Sequence, residues 1–361
     1  MLSGGGTGGH IYPAIAIANA LKVEMPDVEI QFVGASDRME MQKVPEAGYH
    51  IWPLWISGLQ RKLTLKNMMF PFKLMSSLIR SYQYVKRFRP DAVVGTGGFA
   101  SGPLLWVASQ KGIPCLIQEQ NSFPGITNKL LASKVKKICV AYSGMDRFFP
   151  KEKLMLTGNP TRKNLSSSSK NIVEAKRFFE LNEDQKVILF VGGSLGARAI
   201  NMFLQEHLDW FAKNNIQLLW QTGKLYYDDC KSKWEEKRFV GIHLHQFIKE
   251  MDLAYAAADL VVSRAGAIAI SELAVVGKAT VLIPSPNVAE DHQTKNAIAM
   301  VEKHAALMVK EHDMEKDLLY TLHELIADDL KREALAKKFH EQATTDAAEV
   351  IAKELIKLIA D

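Results

Sequence analysis

"KVILFVGGSLGAR", residues 186–198, drives an unbroken apolar run into a glycine turn and on towards a helix. A run with no polar alternation reads as a strand buried on both faces, the mark of a parallel sheet sandwiched between helices. The same grammar recurs through the chain. "EIQFVG" (29–34), "DAVVGTGG" (91–98), "PCLIQEQ" (114–120) and "KICVAY" (137–142) are its strands in the first half. "KVILFVGGS" (186–194), "IQLLWQTG" (216–223), "DLVVSRAG" (259–266) and "ATVLIPSP" (279–286) are those of the second. Helical stretches such as "YPAIAIANALKVE" and "GPLLWVASQKG" lie between them. The fold class is therefore α/β, with two doubly wound, Rossmann-like domains expected to face each other across a cleft. The Gly158–Pro160 break and Ser166–Ser169 mark the join. The expected domains are 1–160, 161–340 and a C-terminal helix, 341–361, packing back on the first domain.

The totals narrow the class. A chain of 361 residues suits two cores, and a net charge of +5 permits anionic partners without calling for nucleic acid. Cys115, Cys139 and Cys230 are scattered, with no metal-ligand or disulfide spacing, which fits a reducing cytoplasm. No apolar run reaches the length of a spanning helix; the longest, around 254–283, is broken by Asp259, Arg264, Glu272 and Lys278.

Three glycine clusters follow strands: "SGGGTGGH" (3–10), "GTGGFASG" (95–102) and "GGSLGAR" (192–198). Glycines let a backbone approach an anion closely while the next helix aims its first amides at it. Any one of them is compatible with a plain tight turn; three point to a large phosphorylated ligand. A dinucleotide-binding reading requires an acid at the end of the second strand, where Gly34, Ala35 and Ser36 stand instead. "SRAGAIAISE" (263–272) adds a helix start whose Ala267, Ile268 and Ala269 amides suit a phosphate, with Glu272 placed for a ribose diol. Gln293 and Asn296 of "EDHQTKNA" either read sugar hydroxyls or cap a helix. The chain has no Asp-x-Asp and no HExxH, so no metal is expected. A departing pyrophosphate would then rely on helix N-termini and Arg162.

In order, "GGGTGGH", "GTGGFASGP", "EQN" with "TNK", "GNPTR", "GGSLGARAIN", "SRAGAIAISE" and "HQTKNA" resemble the MurG family, bacterial N-acetylglucosaminyltransferases of the cell wall. The resemblance runs from Ser3 to at least Ala297. It implies a GT-B fold and inverting, metal-independent transfer of N-acetylglucosamine from UDP-N-acetylglucosamine to the C4 hydroxyl of the muramoyl unit of lipid I, giving lipid II for peptidoglycan. His10 would be the general base, with Glu119 a second candidate. The donor would meet Thr7, Gly8, Gly9, Asn121, Arg162, Ser194, the Ile248 backbone, Ala267, Ile268, Ala269, Ile270, Ser271, Glu272, His292 and Gln293. The acceptor would meet Gly5, Gly6, Gly97, Gly98, Phe99 and Ser101, with Asn201 and Asn296 supporting its side of the cleft. Three positions depart from the family pattern: Phe99 replaces a frequent Tyr, His292 a Gln and Ala269 a Thr. Family members also carry about half a dozen strand residues before the first loop, so the true start is expected upstream of Met1.

Between Leu63 and Pro90, Met68, Met69, Phe70, Phe72, Leu74, Met75, Leu78 and Ile79 interleave with Lys66, Lys73, Arg80, Lys86, Arg87 and Arg89. Such a stretch is either a core helix with a solvated basic face or a surface for anionic lipid. A membrane-bound substrate favours the second, with peripheral attachment at the cytoplasmic face and other cell-wall synthesis proteins as partners. The competing functions are a diacylglycerol glycosyltransferase, a UDP-sugar epimerase and an NAD(P)-dependent oxidoreductase.

Overall fold

The computed structural model describes residues 1–58, 68–161, 171–193, 195–237, 239–288 and 291–360. The chain divides into two compact units, Met1–Thr161 with Thr344–Asp361, and Arg162–Ala343. Arg162 and Ser194, and residues 63–67 of the apolar-basic stretch, lie outside the described residues.

The first unit is built on seven strands: β1 (Leu2–Gly4), β2 (Gln31–Ala35), β3 (His50–Leu54), β4 (Val93–Gly97), β5 (Cys115–Glu119), β6 (Lys137–Val140) and β7 (Leu154–Leu156). All pair in parallel, in the order β3-β2-β1-β4-β5-β6-β7. That order reverses direction between β1 and β4, so the glycine loops that leave these two neighbours open side by side at the sheet's C-terminal edge. Ligands of doubly wound sheets sit at such a switch point. Helix α1 (Gly8–Glu24) follows the first loop, α2 (Glu40–Glu46) follows β2, α3 (Phe70–Phe88) precedes β4 and α4 (Ser101–Gln110) follows the second loop. α5 (Ile126–Leu131) lies between β5 and β6.

β1 has only three residues, yet it is central. Leu2 and Ser3 pair with both Phe32–Val33 and Val94–Gly95, and the Met1 amino group donates to the Ala92 carbonyl at 2.8 Å. One core lies under α1, where Leu2, Ile11, Ile17, Leu21 and Phe32 meet Ile351, Ala352 and Leu355 of the C-terminal helix. The chain thus returns to its first unit to close that core.

The second unit repeats the plan with β8 (Lys186–Val191), β9 (Ile216–Gln221), β10 (Ile242–His245), β11 (Leu260–Ser263), β12 (Thr280–Leu282) and β13 (Leu307–Met308), in the order β10-β9-β8-β11-β12-β13. Its helices are α6 (Ile172–Phe178), α7 (Arg198–Lys213), α8 (Tyr227–Lys237), α9 (Met251–Ala257), α10 (Ala267–Val276), α11 (His292–Val301), α12 (Met314–Ala327) and α13 (Asp329–His340). α14 (Ala347–Ala360) is the helix that joins the first unit. The switch point falls between β8 and β11, the strands that lead into the third glycine cluster and "SRAG". Both units therefore present their singular turns at matching places.

β10 carries a pH dependence. Burial, with a smaller push from His245, lowers the pKa of His243 below its ordinary 6.5, and burial alone lowers that of His245. Between the lowered values and 6.5 the unfolded chain binds more protons than the folded one. The stability these neutral rings permit is complete above about pH 6.5 and declines as pH falls below it. Denaturant titrations of unit 2 at pH 7.5 and 5.5 should give a lower midpoint at 5.5, and the difference should shrink in a His243→Gln, His245→Gln double variant.

Candidate active site

His10 is the third residue of α1, and the site grows from its ring. Nδ1 lies 2.9 Å from Gln120 Oε1, just beyond the end of β5. On another side, a Cβ placed on Gly97 would fall 2.9 Å from both Nδ1 and Cε1. Gly97 holds φ +102 and Gly98 φ +87, backbone that side chains rarely adopt. A Cβ on Gly98 would strike the Gly5 carbonyl oxygen at 2.3 Å. The first two glycine clusters therefore lie backbone against backbone, with the imidazole on top of the second. The Thr96 hydroxyl donates to the His10 carbonyl at 2.7 Å and ties β4 to the first turn of α1.

The structure changes the parts given to several first-unit residues. Gly5 and Gly6 were expected to offer amides to a phosphate, but Gly5 N–H donates to the Gly97 carbonyl at 3.3 Å and Gly6 N–H to Glu40 Oε2 at 2.9 Å. The open donors of this loop are the first-turn amides at Gly8 and Gly9, which have no carbonyl one turn back to receive them. Glu40 is fully buried, and its other oxygen accepts from Ala35 N–H at 3.0 Å. Its carboxylate fixes the glycine loop from beneath, a role the sequence did not disclose.

Glu119 is corrected as well. Its two oxygens accept from Asn121 N (3.0 Å), Asn121 Nδ2 (3.1 Å), Gly125 N (3.1 Å) and Asn128 Nδ2 (2.8 Å). A buried carboxylate held by four donors organises the turn after β5, and its oxygens are engaged there rather than turned to a ligand. Ser101 likewise turns inward: it is buried and donates to the Gly98 carbonyl at 2.9 Å. Phe99 is exposed, and its ring lies over Gly58, where a Cβ would come within 2.1 Å of Cζ. Thr7 is exposed and N-caps α1 without a side-chain bond.

In the second unit, Gln221 ties two candidate segments together. Its Oε1 accepts from Ile248 N–H at 2.9 Å, and its Nε2 donates to the Gly193 carbonyl at 3.3 Å. The Ile248 amide is therefore spent within the protein, which leaves its carbonyl for a ligand. Ala267, Ile268 and Ala269 form the first turn of α10 behind Gly266, while Ile270 N–H already bonds Gly266 O at 2.9 Å and its side chain is buried. Ser271 Oγ donates back to Ala267 O at 3.0 Å. Ile270 and Ser271 thus belong to the helix rather than to its binding end. Glu272 lies on the same helix, largely buried.

Gln293 and His292 open α11, where Gln293 Oε1 accepts from Ser285 N–H at 2.9 Å and keeps its NH2 as a donor. Asn296 and Asn201 are buried supports of the second unit. Asn296 Nδ2 donates to Ala265 O at 3.4 Å; Asn201 links Thr222 O (2.8 Å) to Trp220 Nε1 (2.9 Å). Arg264 of "SRAG" is engaged by Glu311 at 2.6 Å and by Ile283 O at 3.2 Å. A cavity of about 570 Å³ opens at the opposite, N-terminal ends of β8, β11 and β12. There Lys176 and Lys278 are each capped by two backbone carbonyls.

Two parallel sheets with anion-suited helix starts at both switch points are the architecture of the GT-B class, to which many glycosyltransferases belong. A family model described as the glycosyltransferase family 28 N-terminal domain matches residues 1–140, and one described as its C-terminal domain matches residues 187–351. A UDP-N-acetylglucosamine–N-acetylmuramyl-(pentapeptide) pyrophosphoryl-undecaprenol N-acetylglucosamine transferase of Flavobacterium psychrophilum is 54% identical over 359 residues, 99% of this chain and 97% of its own. The protein of the same name from Parabacteroides distasonis is 51% identical, covering 99% and 98%. The crystal structure of Acinetobacter baumannii MurG superposes with a TM-score of 0.78 at 28% identity, covering 99% of each chain. A UDP-GlcNAc 2-epimerase from Neisseria meningitidis shares the fold alone, with a TM-score of 0.68 at 13% identity and 99% coverage of both chains. The chain belongs to the MurG family of N-acetylglucosamine transferases.

Proposed function

We propose that this enzyme transfers N-acetylglucosamine from UDP-N-acetylglucosamine to the C4 hydroxyl of the muramoyl unit of lipid I, with inversion and without a metal. The observation that carries the chemistry is the imidazole of His10, seated on the second glycine cluster beside two open helix-start amides. As the C4 oxygen attacks the anomeric carbon, its proton passes to His10 and the bond from that carbon to UDP breaks. The first-turn amides of Ala267, Ile268 and Ala269 meet the departing pyrophosphate, with Arg162 and Ser194 assigned there by family resemblance alone. Glu272 accepts from the ribose, and Gln293, His292, Thr7 and Asn121 belong to the sugar. UDP release measured with and without a soluble lipid I analogue tests the reading. Release that depends on the analogue is expected; release that ignores it would count against lipid I as acceptor.

The same protein is proposed to lie on the cytoplasmic face of an anionic membrane. No helix among the described residues is long and apolar enough to cross one. α3 supports attachment because it is apolar on two sides: Leu74, Leu78, Tyr84 and Phe88 pack against the core, and a second apolar stripe is exposed. Ser77, Ser81 and Val85 face inward, whereas Phe72 (67% exposed), Met75 (60%) and Ile79 (52%) face out. Their three- and four-residue spacing makes one stripe, flanked by exposed Arg80 and Lys86. Each basic side chain near an anionic surface contributes about 1 kcal/mol. An Arg80→Glu, Lys86→Glu variant is therefore expected to sediment at least about tenfold less with phosphatidylglycerol vesicles while keeping its melting temperature. Unchanged sedimentation would remove α3 from the membrane. Arg87 is left intact in this test because it stacks on Trp52, 5.4 Å from the ring centre.

A further inference from the structure

We propose that Gln120, held by Gln118 and Asn159, fixes the tautomer of His10 and thereby reserves Nε2 as the proton acceptor; this rests on the base role given to His10 above. The argument runs through three buried amides whose direction is set by backbone carbonyls, groups that only accept. Asn159 Nδ2 donates to the Gln120 carbonyl at 3.1 Å, so its Oδ1 faces Gln118. Gln118 answers with Nε2 at 2.9 Å and turns its own Oε1 to Gln120. Gln120 Nε2, with two hydrogens to give, faces three acceptors: that oxygen and the carbonyls of Thr96 (2.8 Å) and Gln118 (3.1 Å). Reversing the Gln120 amide would set its oxygen against three acceptors, leaving buried groups unpaired at a cost of about 1–3 kcal/mol each.

Only Oε1 of Gln120 is then left for the imidazole, 2.9 Å from Nδ1. An amide oxygen accepts, so Nδ1 must carry the hydrogen and Nε2 the lone pair. When the acceptor O–H breaks, the new N–H bond forms at Nε2, and Nδ1–H stays on Gln120 throughout. Gln120 takes no proton itself. It is a positioning residue, and the network behind it reaches from the end of β5 to the "GNP" turn through Asn159.

The full-length protein labelled with 15N-histidine tests this directly. Two-bond 1H–15N correlations report which ring nitrogen is protonated, and the His10 signals are those that vanish in His10→Ala. Protonated Nδ1 with bare Nε2 is expected; protonated Nε2 would overturn the proposal, and this readout needs no Gln120 variant to fold. Gln120→Met should lower kcat about 10- to 100-fold with the KM for UDP-N-acetylglucosamine changed by less than about twofold. It should also move the His10 correlations towards the other tautomer. Unchanged kcat with a folded, UDP-binding Gln120→Met protein would sink the positioning role while leaving His10 as base. Near-normal turnover in His10→Ala would remove the base assignment itself, and the proposal with it.

Discussion

His10→Ala is expected to lose about 10²- to 10⁴-fold in kcat, the usual worth of a positioned general base. Binding of UDP-N-acetylglucosamine should survive, because the imidazole is held within the first unit by Gln120 and the Gly97 backbone, whereas most donor candidates belong to the second. Thermal protection by UDP checks the second half of that statement, and single-turnover sugar transfer the first. A loss confined to KM would make His10 a binding residue. The competing base, Glu119, predicts a different pattern. Its carboxylate is shared among four donors of its own turn, so Glu119→Gln should act chiefly through stability.

Gly97→Ala is expected to have the next largest effect, through two separable causes. At φ +102 an added Cβ costs about 1–3 kcal/mol of backbone strain. It also arrives 2.9 Å from Nδ1 and Cε1 of His10, and the ring must shift away. A displacement of about 1 Å at a reacting group costs on the order of 10²-fold in rate. Gly6→Ala supplies the control, since its φ is +85 but no atom lies within 4 Å of the new Cβ. Gly97→Ala should therefore lose much more kcat than Gly6→Ala at comparable loss of melting temperature. Equal rate losses would mean that strain alone matters and that the ring is not pressed against this turn.

What could be read from the sequence follows from where each strand sits. The eight strands legible as apolar runs are the interior ones: β2, β4, β5 and β6 in the first sheet, and β8, β9, β11 and β12 in the second. The four that escaped, β3, β7, β10 and β13, are the four sheet edges. Edge strands are half solvated, so "HIWPL" (50–54) and "IHLH" (242–245) mix polar residues and a proline with apolar ones and show no continuous run. β1 is interior yet only three residues long, and its glycine loop was the better signal.

The site divides along a similar line. Glycine clusters were legible because backbone conformation demands particular residues in particular places. The residues around His10 were not, because Glu40, Gln118, Gln120 and Asn159 act through partners 34, 41 or 110 positions away. One local sign was present: Gln118 and Gln120, two residues apart at the end of a buried strand, share a face and must both find partners inside. The corrections have a common physical cause. Gly5, Gly6, Ser101 and the Ile248 amide have groups suited to a ligand, and neighbouring protein groups had already engaged them.

The return of α14 to the first unit carries a consequence for biosynthesis. Ile351, Ala352 and Leu355 complete the core beneath α1, so the unit that emerges first from the ribosome is finished only after the whole of the second has been made. Arg162–Ala343, by contrast, is continuous and has all its strands once Ala343 has cleared the exit tunnel. Until α14 emerges, the face of α1 that receives it has no covering helix. The core of the first unit is thus completed only when α14 has been made, whereas the second unit does not wait for it.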